Sequence, residues 1–167
     1  MFRNGWGVLA KVITVSDGVI GGYREDRSGE ALAARLLELG FGLAGRSAIA
    51  DGAEEVAAAL RSAAEGFSGL VVTTGGTGFG PRDLTPEGTR AVIEREAPGL
   101  AERSRSASPL GGLSRGVAGT LGKTLILNLP GSPRGAIESL DAVADLLGHA
   151  LSLLAGEDAP HPKTSAE

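Results

Sequence analysis

The chain has 167 residues, 42% of them hydrophobic and 22% charged. That balance suits one soluble domain with a full-sized core, and no apolar run comes near the roughly 18 residues that span a membrane. A net charge of −4 argues against a nucleic-acid binder, which presents a basic face, and the absence of cysteine excludes disulfides and thiolate metal sites.

Met1 to Trp6 lead into a strand without the apolar core of a signal peptide, so a cytoplasmic protein is expected. Residues 8–15 read as a buried strand that stops at the polar turn Ser16-Asp17-Gly18. Residues 19–27 read as a loop. Ser28 then caps a helix whose Leu32, Leu36 and Leu39 recur near helical spacing and which stops at Gly40. The plainer reading of Asp26 and Ser28 is helix capping alone, beside a functional one. Residues 41–49 form a weaker strand, and Asp51-Gly52-Ala53-Glu54 fits a capping box that opens a helix over 54–64. Asp51 is open to two readings. It is a capping type, and it also follows a strand, at the edge where open α/β sheets bind ligands.

The centre of the chain is Thr73-Thr74-Gly75-Gly76-Thr77-Gly78-Phe79-Gly80-Pro81-Arg82-Asp83-Leu84-Thr85-Pro86-Glu87. The β-branched run Leu70-Val71-Val72 reads as a buried parallel strand cut off by the glycines, and Thr85 caps a helix with Pro86 at its first position. Glycines there let backbone N–H groups face an anion at close range, and threonine hydroxyls add donors, so the stretch reads as a phosphate cradle. A tight turn without a ligand is the plainer reading of the same glycines. Arg82 and Asp83 are either a surface pair or a guanidinium that grips phosphate beside a carboxylate that holds Mg²⁺.

Beyond it, Ala91, Val92 and Ile93 belong to a helix ending near Pro98-Gly99, and residues 100–106 to another helical piece. Residues 109–116 are a flexible polar turn. Residues 124–129 are the last clear strand, which breaks at Pro130-Gly131-Ser132-Pro133, where Ser132 caps a helix with proline at its first position. Ala136, Leu140, Val143, Leu146 and Leu147 form its inward stripe. The order β-α-β-α-β-α, a helical stretch, then β-α gives a three-layer α/β/α domain with a mostly parallel sheet over residues 1–155, and a disordered tail over 156–167.

The chemistry is bounded by elimination. No Gly-Lys-Ser/Thr follows the glycines and the Gly-x-Gly-x-x-Gly register is not met, so P-loop hydrolysis and hydride transfer lose support. The only histidines, His149 and His161, lie in the last helix and the tail, so a serine–histidine nucleophile is not expected. What remains, amides, hydroxyls, an arginine and aspartates, suits metal-assisted phosphoryl or nucleotidyl transfer.

The glycine stretch with Arg82-Asp83-Leu84-Thr85-Pro86-Glu87, together with Asn128-Leu129-Pro130-Gly131-Ser132-Pro133, resembles the molybdenum-cofactor biosynthesis family. The resemblance also takes in Ser16-Asp17, Asp26-Arg27-Ser28-Gly29 and Leu113-Ser114-Arg115-Gly116-Val117-Ala118-Gly119, and so covers about residues 8–155. It implies adenylyl transfer from ATP to molybdopterin with Mg²⁺ and release of pyrophosphate. Asp51 and Asp83 match the family's two important aspartates, here taken as catalytic and metal-holding. Thr74, Gly75, Gly76, Thr77 and Gly78 match its phosphate-binding loop, and Ser114, Pro130, Gly131 and Ser132 match positions lining the substrate pocket. Ser16, Asp17 and Arg82 are further expected substrate contacts. Family members assemble as trimers and some as hexamers, so a homo-oligomer is expected, with no nucleic acid or membrane as partner. Two other readings stay open: a molybdopterin binder of the same family with little catalysis, and an enzyme acting on pyridine nucleotides.

Overall fold

The structure, a computed structural model, describes residues 7–156. Of the tail expected to be disordered over 156–167, the structure describes only Gly156, which ends the last helix in the left-handed conformation; Trp6 and residues 157–167 lie outside the described residues. The elements in chain order are β1 (Leu9–Val15), α1 (Asp17–Ile20), α2 (Arg27–Glu38), β2 (Gly42–Ile49), α3 (Ala53–Ala64), β3 (Gly69–Thr74) and α4 (Thr85–Arg90). They continue with β4 (Arg95–Glu96), α5 (Pro98–Arg105), a 3-10 turn (Pro109–Leu113), β5 (Ala118–Leu121), β6 (Thr124–Leu129), α6 (Pro133–Asp141) and α7 (Ala144–Ala155).

One six-stranded sheet runs in the order β2-β1-β3-β6-β5-β4. The pairs β1–β2, β1–β3 and β3–β6 are parallel, while β5 pairs antiparallel with both β6 and β4. Four strands were expected. The two extra ones escape hydrophobic pattern for a physical reason: β4 is an exposed Arg-Glu pair, and β5 begins Ala-Gly, so neither carries the β-branched apolar run of a buried strand.

Alternation along the central strands divides the core into two layers. Leu70 and Val72 of β3 join Val12, Leu125, Leu127 and Leu129 on one face, covered by Leu32 and Leu36 of α2 and by Leu140 and Leu147 from α6 and α7. Val71 joins Ile13, Val15 and Ile126 on the opposite face, covered by Val56 and Leu60 of α3. The sheet is thus buried on both sides, which is why β3 is buried at all six positions.

Several expected helix starts fall elsewhere. Asp26, not Ser28, caps α2: its carboxylate accepts from the Gly29 N–H at 3.0 Å. The expected loop after β1 opens with a helical turn, α1, whose cap is Ser16. The α4 helix has Leu84 at its cap position and ends at Arg90, short of Val92, and residues 109–113 wind into a 3-10 turn. The stripe running to Leu154 belongs to two helices, broken at Ala142-Val143. The Ser132 cap holds, with Oγ accepting from the Gly135 N–H at 3.1 Å.

Candidate active site

Parallel pairing brings four strand ends to one edge. Val15 lies opposite Ile49, Thr14 opposite Thr74 and Thr74 opposite Leu129. Ser16, Gly75 and Pro130, directly after these positions, and Asp51, two residues after Ile49, therefore leave the sheet together. They border a cleft of about 950 Å³ that also takes in Thr74, Gly76, Thr77, Gly78, Asp83, Ser114, Gly131 and Ser132. Twelve of the fourteen expected site residues thus meet in one cavity. A separate recess between Phe41 and Leu151 has room for about 20 Å³ and is lined by apolar side chains and glycines.

The glycine loop is fastened by its carbonyls. Gly75 O accepts from the Thr85 hydroxyl at 2.9 Å, and Gly76 O from the Thr85 N–H at 3.0 Å. Thr77 O accepts from the Arg115 N–H at 2.8 Å and Gly78 O from Arg115 Nε at 2.8 Å. In a trans peptide the C=O and the next N–H point in opposite directions, and no peptide here is cis. With the carbonyls drawn back onto the scaffold, the N–H groups of Gly76, Thr77 and Gly78 turn the other way, and these are the residues that line the cleft. Among the described residues no protein acceptor takes those three N–H groups. They form a row of donors of the kind that binds anions. Gly75 and Gly76 sit at φ +98° and +65°, and a Cβ there would overlap Val15 O and Thr85 Oγ1 respectively. Thr85 therefore serves the loop and not the expected helix cap.

Asp51 resolves away from its capping reading. Gly52 holds the cap position of α3 without a side-chain bond, and Asp51 faces Asp17 instead. Asp51 Oδ2 accepts from the Asp17 N–H at 2.7 Å, and Asp17 Oδ1 accepts from the Asp51 N–H at 3.1 Å. Arg82 closes this pair: Nε donates to Asp17 Oδ2 at 2.6 Å and Nη2 to the Asp51 carbonyl at 2.6 Å. Its guanidinium holds the Asp17 carboxyl below the usual aspartate range. Arg82 and Asp17, expected as substrate contacts, do not line the cleft; they tie the β1, β2 and β3 ends together and leave Asp51 facing Gly76.

Asp83 is fixed from the other side. Its Oδ2 accepts from the Gly80 N–H at 2.9 Å, and its carbonyl from Arg115 Nη2 at 2.5 Å. Each carboxylate thus has a backbone donor that sets its place. The donor chemistry of the pair suits a hard cation: two carboxylates on one cleft are a common share of a Mg²⁺ shell, the rest being supplied by other oxygens and water. Among the described residues no third acidic or histidine side chain joins them.

Hydroxyls line the remaining wall. Ser16 Oγ accepts from the Val19 N–H, Ser114 Oγ from the Gly116 N–H and Ser132 Oγ from the Gly135 N–H, each keeping its own proton to donate. Thr74 is different, because its hydroxyl is spent on the Pro130 carbonyl at 2.8 Å and joins the β3 and β6 turns. Asn128 is structural as well: buried, it donates to the Thr73 and Thr89 hydroxyls at 3.0 and 2.9 Å and accepts from the Val117 N–H at 3.1 Å. A second recess of about 410 Å³ shares Ser114, Pro130 and Ser132 with the main cleft and reaches toward Arg105 and Ser139.

Sequence reasoning missed Tyr23, Arg24, Arg27 and Ser28, which form the cleft's far wall. For Tyr23 and Arg24 the only signal was a polar loop at the same strand edge; Arg27 and Ser28 also stood in the stretch that carries the family resemblance, with no site role given to them. It also missed Arg115, whose Nη1 pairs with Glu87 and whose guanidinium lies 5.9 Å from the Phe79 ring centroid. The guanidinium holds the Glu87 carboxyl below the usual glutamate range. Contacts across 28 to 37 residues of chain leave no local trace.

Comparison with known proteins gives the family and the fold. Residues 11–149 match the family model described as a probable molybdopterin binding domain. A molybdopterin adenylyltransferase of Helicobacter pylori (strain J99) is 37% identical over 157 residues, covering 87% of this chain and 86% of that protein. The molybdenum cofactor biosynthesis bifunctional protein of Synechococcus elongatus is 37% identical over 156 residues, covering 91% of this chain and 49% of its own length, so the chain spans about half of that relative. The crystal structure of the molybdopterin biosynthesis enzyme MoaB from Thermus thermophilus superposes with a TM-score of 0.84 at 46% identity, covering 90% of this chain and 98% of that one.

Proposed function

This chain belongs to the molybdenum-cofactor biosynthesis family, with its probable molybdopterin binding domain over residues 11–149, and from that premise we propose that it transfers the adenylyl group of ATP to the terminal phosphate of molybdopterin. An oxygen of the molybdopterin phosphate forms the new bond to the α-phosphorus of ATP. The bond from that phosphorus to the β-phosphate's bridging oxygen breaks, and pyrophosphate leaves with the electron pair.

The observation that carries the reading is the meeting of Asp51 and Asp83, from different strand ends, with the outward amides of the glycine loop in one cleft of about 950 Å³. Two anionic reactants repel each other, and fixed donors must offset that repulsion without reorganising. The N–H groups of Gly76, Thr77 and Gly78 hold the triphosphate, and the hydroxyls of Ser16, Ser114 and Ser132 orient the groups around it. Asp51 and Asp83 would hold Mg²⁺, which when bound neutralises charge on the reacting phosphates. The adjoining recess, which shares its Ser114, Pro130 and Ser132 wall with the cleft, supports a two-substrate reaction. The same reading makes the protein a homo-oligomer, a trimer before a hexamer, which sedimentation equilibrium distinguishes.

The decisive experiment is incubation with ATP, Mg²⁺ and molybdopterin, with mass-spectrometric detection of the adenylylated pterin and assay of pyrophosphate. Both products are expected in equal amounts. Binding of the pterin without either product would leave a binding protein of the same family as the better description.

A further inference from the structure

We infer that Arg115 is the positioning residue of the anion-binding loop: by holding the carbonyls of Thr77, Gly78 and Asp83 it sets both the direction of the loop amides and the place of the Asp83 carboxylate. Nothing in the sequence marks it for this task, since it lies between Ser114, whose hydroxyl faces the cleft, and the start of β5.

The geometry is that of a clamp. The Arg115 main-chain N–H takes Thr77 O at 2.8 Å, and Nε takes Gly78 O at 2.8 Å. Trans peptide planarity then fixes the N–H groups of Gly78 and Phe79 on the opposite side. Nη2 takes the Asp83 main-chain carbonyl at 2.5 Å, so one planar group spans the loop from the Gly78 carbonyl to the backbone of the residue whose carboxylate is the candidate metal ligand. Nη1 is anchored on Glu87, and the Phe79 ring lies 5.9 Å from the guanidinium carbon, within cation–π range. The side chain is about 30% exposed. Phe79, which had no role in the sequence reading, gains one as a cover over the guanidinium.

The Thr77 carbonyl is held by the main-chain N–H, which any residue keeps, but the side chain serves three more acceptors in fixed directions, Gly78 O, Asp83 O and Glu87, and these require a fork. Lysine carries the same charge on a single flexible ammonium and cannot reproduce it. Arg115→Lys therefore separates geometry from charge, and Glu87→Gln loosens the anchor while leaving the arginine in place. The inference rests on the proposed reaction for its kinetic readout, while anion binding tests it independently.

The experiment compares the full-length wild-type protein with the two variants. It measures calorimetric affinity for pyrophosphate, melting temperature, and kcat and KM for ATP in the transfer assay. Arg115→Lys is expected to bind pyrophosphate about tenfold more weakly, the loss of one or two directed hydrogen bonds. Its kcat should fall by more than its KM for ATP rises, because Asp83 is displaced together with the loop, and Glu87→Gln should weaken pyrophosphate binding by about three- to fivefold. A variant that melts lower yet binds pyrophosphate as tightly as wild type would give Arg115 only a structural part and overturn the inference. So would a wild-type protein that does not bind pyrophosphate. Should Arg115→Lys fail to fold, the Glu87→Gln affinity decides in the same two directions. If the wild type binds pyrophosphate but forms no adenylylated pterin, the proposed reaction falls and the affinity ratios still judge Arg115.

Discussion

In the proposed reaction two carboxylates and a row of amides divide the work at the level of single residues, and their removal has different expected signatures. Asp83→Asn keeps the shape of the side chain and its bond from the Gly80 N–H, but removes the charge that a divalent cation needs. Turnover is expected to fall at least about 100-fold, on the scale of losing one fixed electrostatic contact in a transition state, with pterin affinity within about twofold of wild type. Single-turnover transfer beside equilibrium binding checks this, and unaltered turnover would remove Asp83 from the mechanism. Gly76→Ala acts on the other half. A Cβ would overlap Thr85 Oγ1 and lie 3.2 Å from Asp51 Oδ1, at a φ of +65°. The loop must shift, so pyrophosphate affinity should drop with the carboxylates chemically intact. Asp51 also illustrates what a sequence can carry at this scale. A carboxylate just before a helix reads equally as cap or ligand, and the deciding facts are that Gly52 occupies the cap position and that the Asp17 N–H, 34 residues away in the chain, binds Asp51 Oδ2.

Between elements, arginine–carboxylate pairs set the positions of these groups. Arg82 with Asp17 locks the end of β2 to the ends of β1 and β3, so Asp17→Asn should slow transfer through a misplaced Asp51 while the exposed pair adds little stability. Arg115 with Glu87 braces α4 against the glycine loop and carries a pH dependence. The Glu87 carboxyl is held below its ordinary value by Arg115, so the unfolded chain takes up its proton first as acid is added. The stability it contributes is complete above the ordinary glutamate range and disappears as pH falls through the lowered value. Melting temperatures of wild type and Glu87→Gln should therefore differ at neutral pH and converge in acid; a gap independent of pH would contradict this. Legibility follows the same division. The strands β1, β3 and β6 were readable because each is a compact apolar run closed by glycine, proline or serine, and α6 because Ser132-Pro133 is a local start signal. The strands β4 and β5 were not, because pairing with neighbours, not their own composition, makes them strands. Helix starts shifted at Ser28 and Thr85 because tertiary partners claimed the hydroxyl or another residue capped better.

Across the whole molecule, the packed core and the candidate site lie in different places. The core lies in two layers on the faces of the sheet, centred on residues such as Leu70, Val72 and Leu140 on one side and Val71 and Val56 on the other. The cleft lies beyond the strand ends, built from loops whose positions are fixed by a few directed bonds. Leu140 is fully buried between α6 and the sheet, and truncation there leaves a cavity that the close-packed layer fills only in part. Leu140→Ala is expected to cost about 2–5 kcal/mol of stability. Because the strand ends remain in register, the molecules still folded should keep their kcat and pyrophosphate affinity. Asp51→Asn should do the reverse, since its neighbours' backbone bonds persist: melting temperature within a few degrees of wild type, transfer lost. Urea unfolding and transfer kinetics on both variants test the separation together. A Leu140→Ala protein whose remaining folded fraction had lost its pyrophosphate affinity would mean that the loop depends on core packing and not on the local clamps that hold its carbonyls.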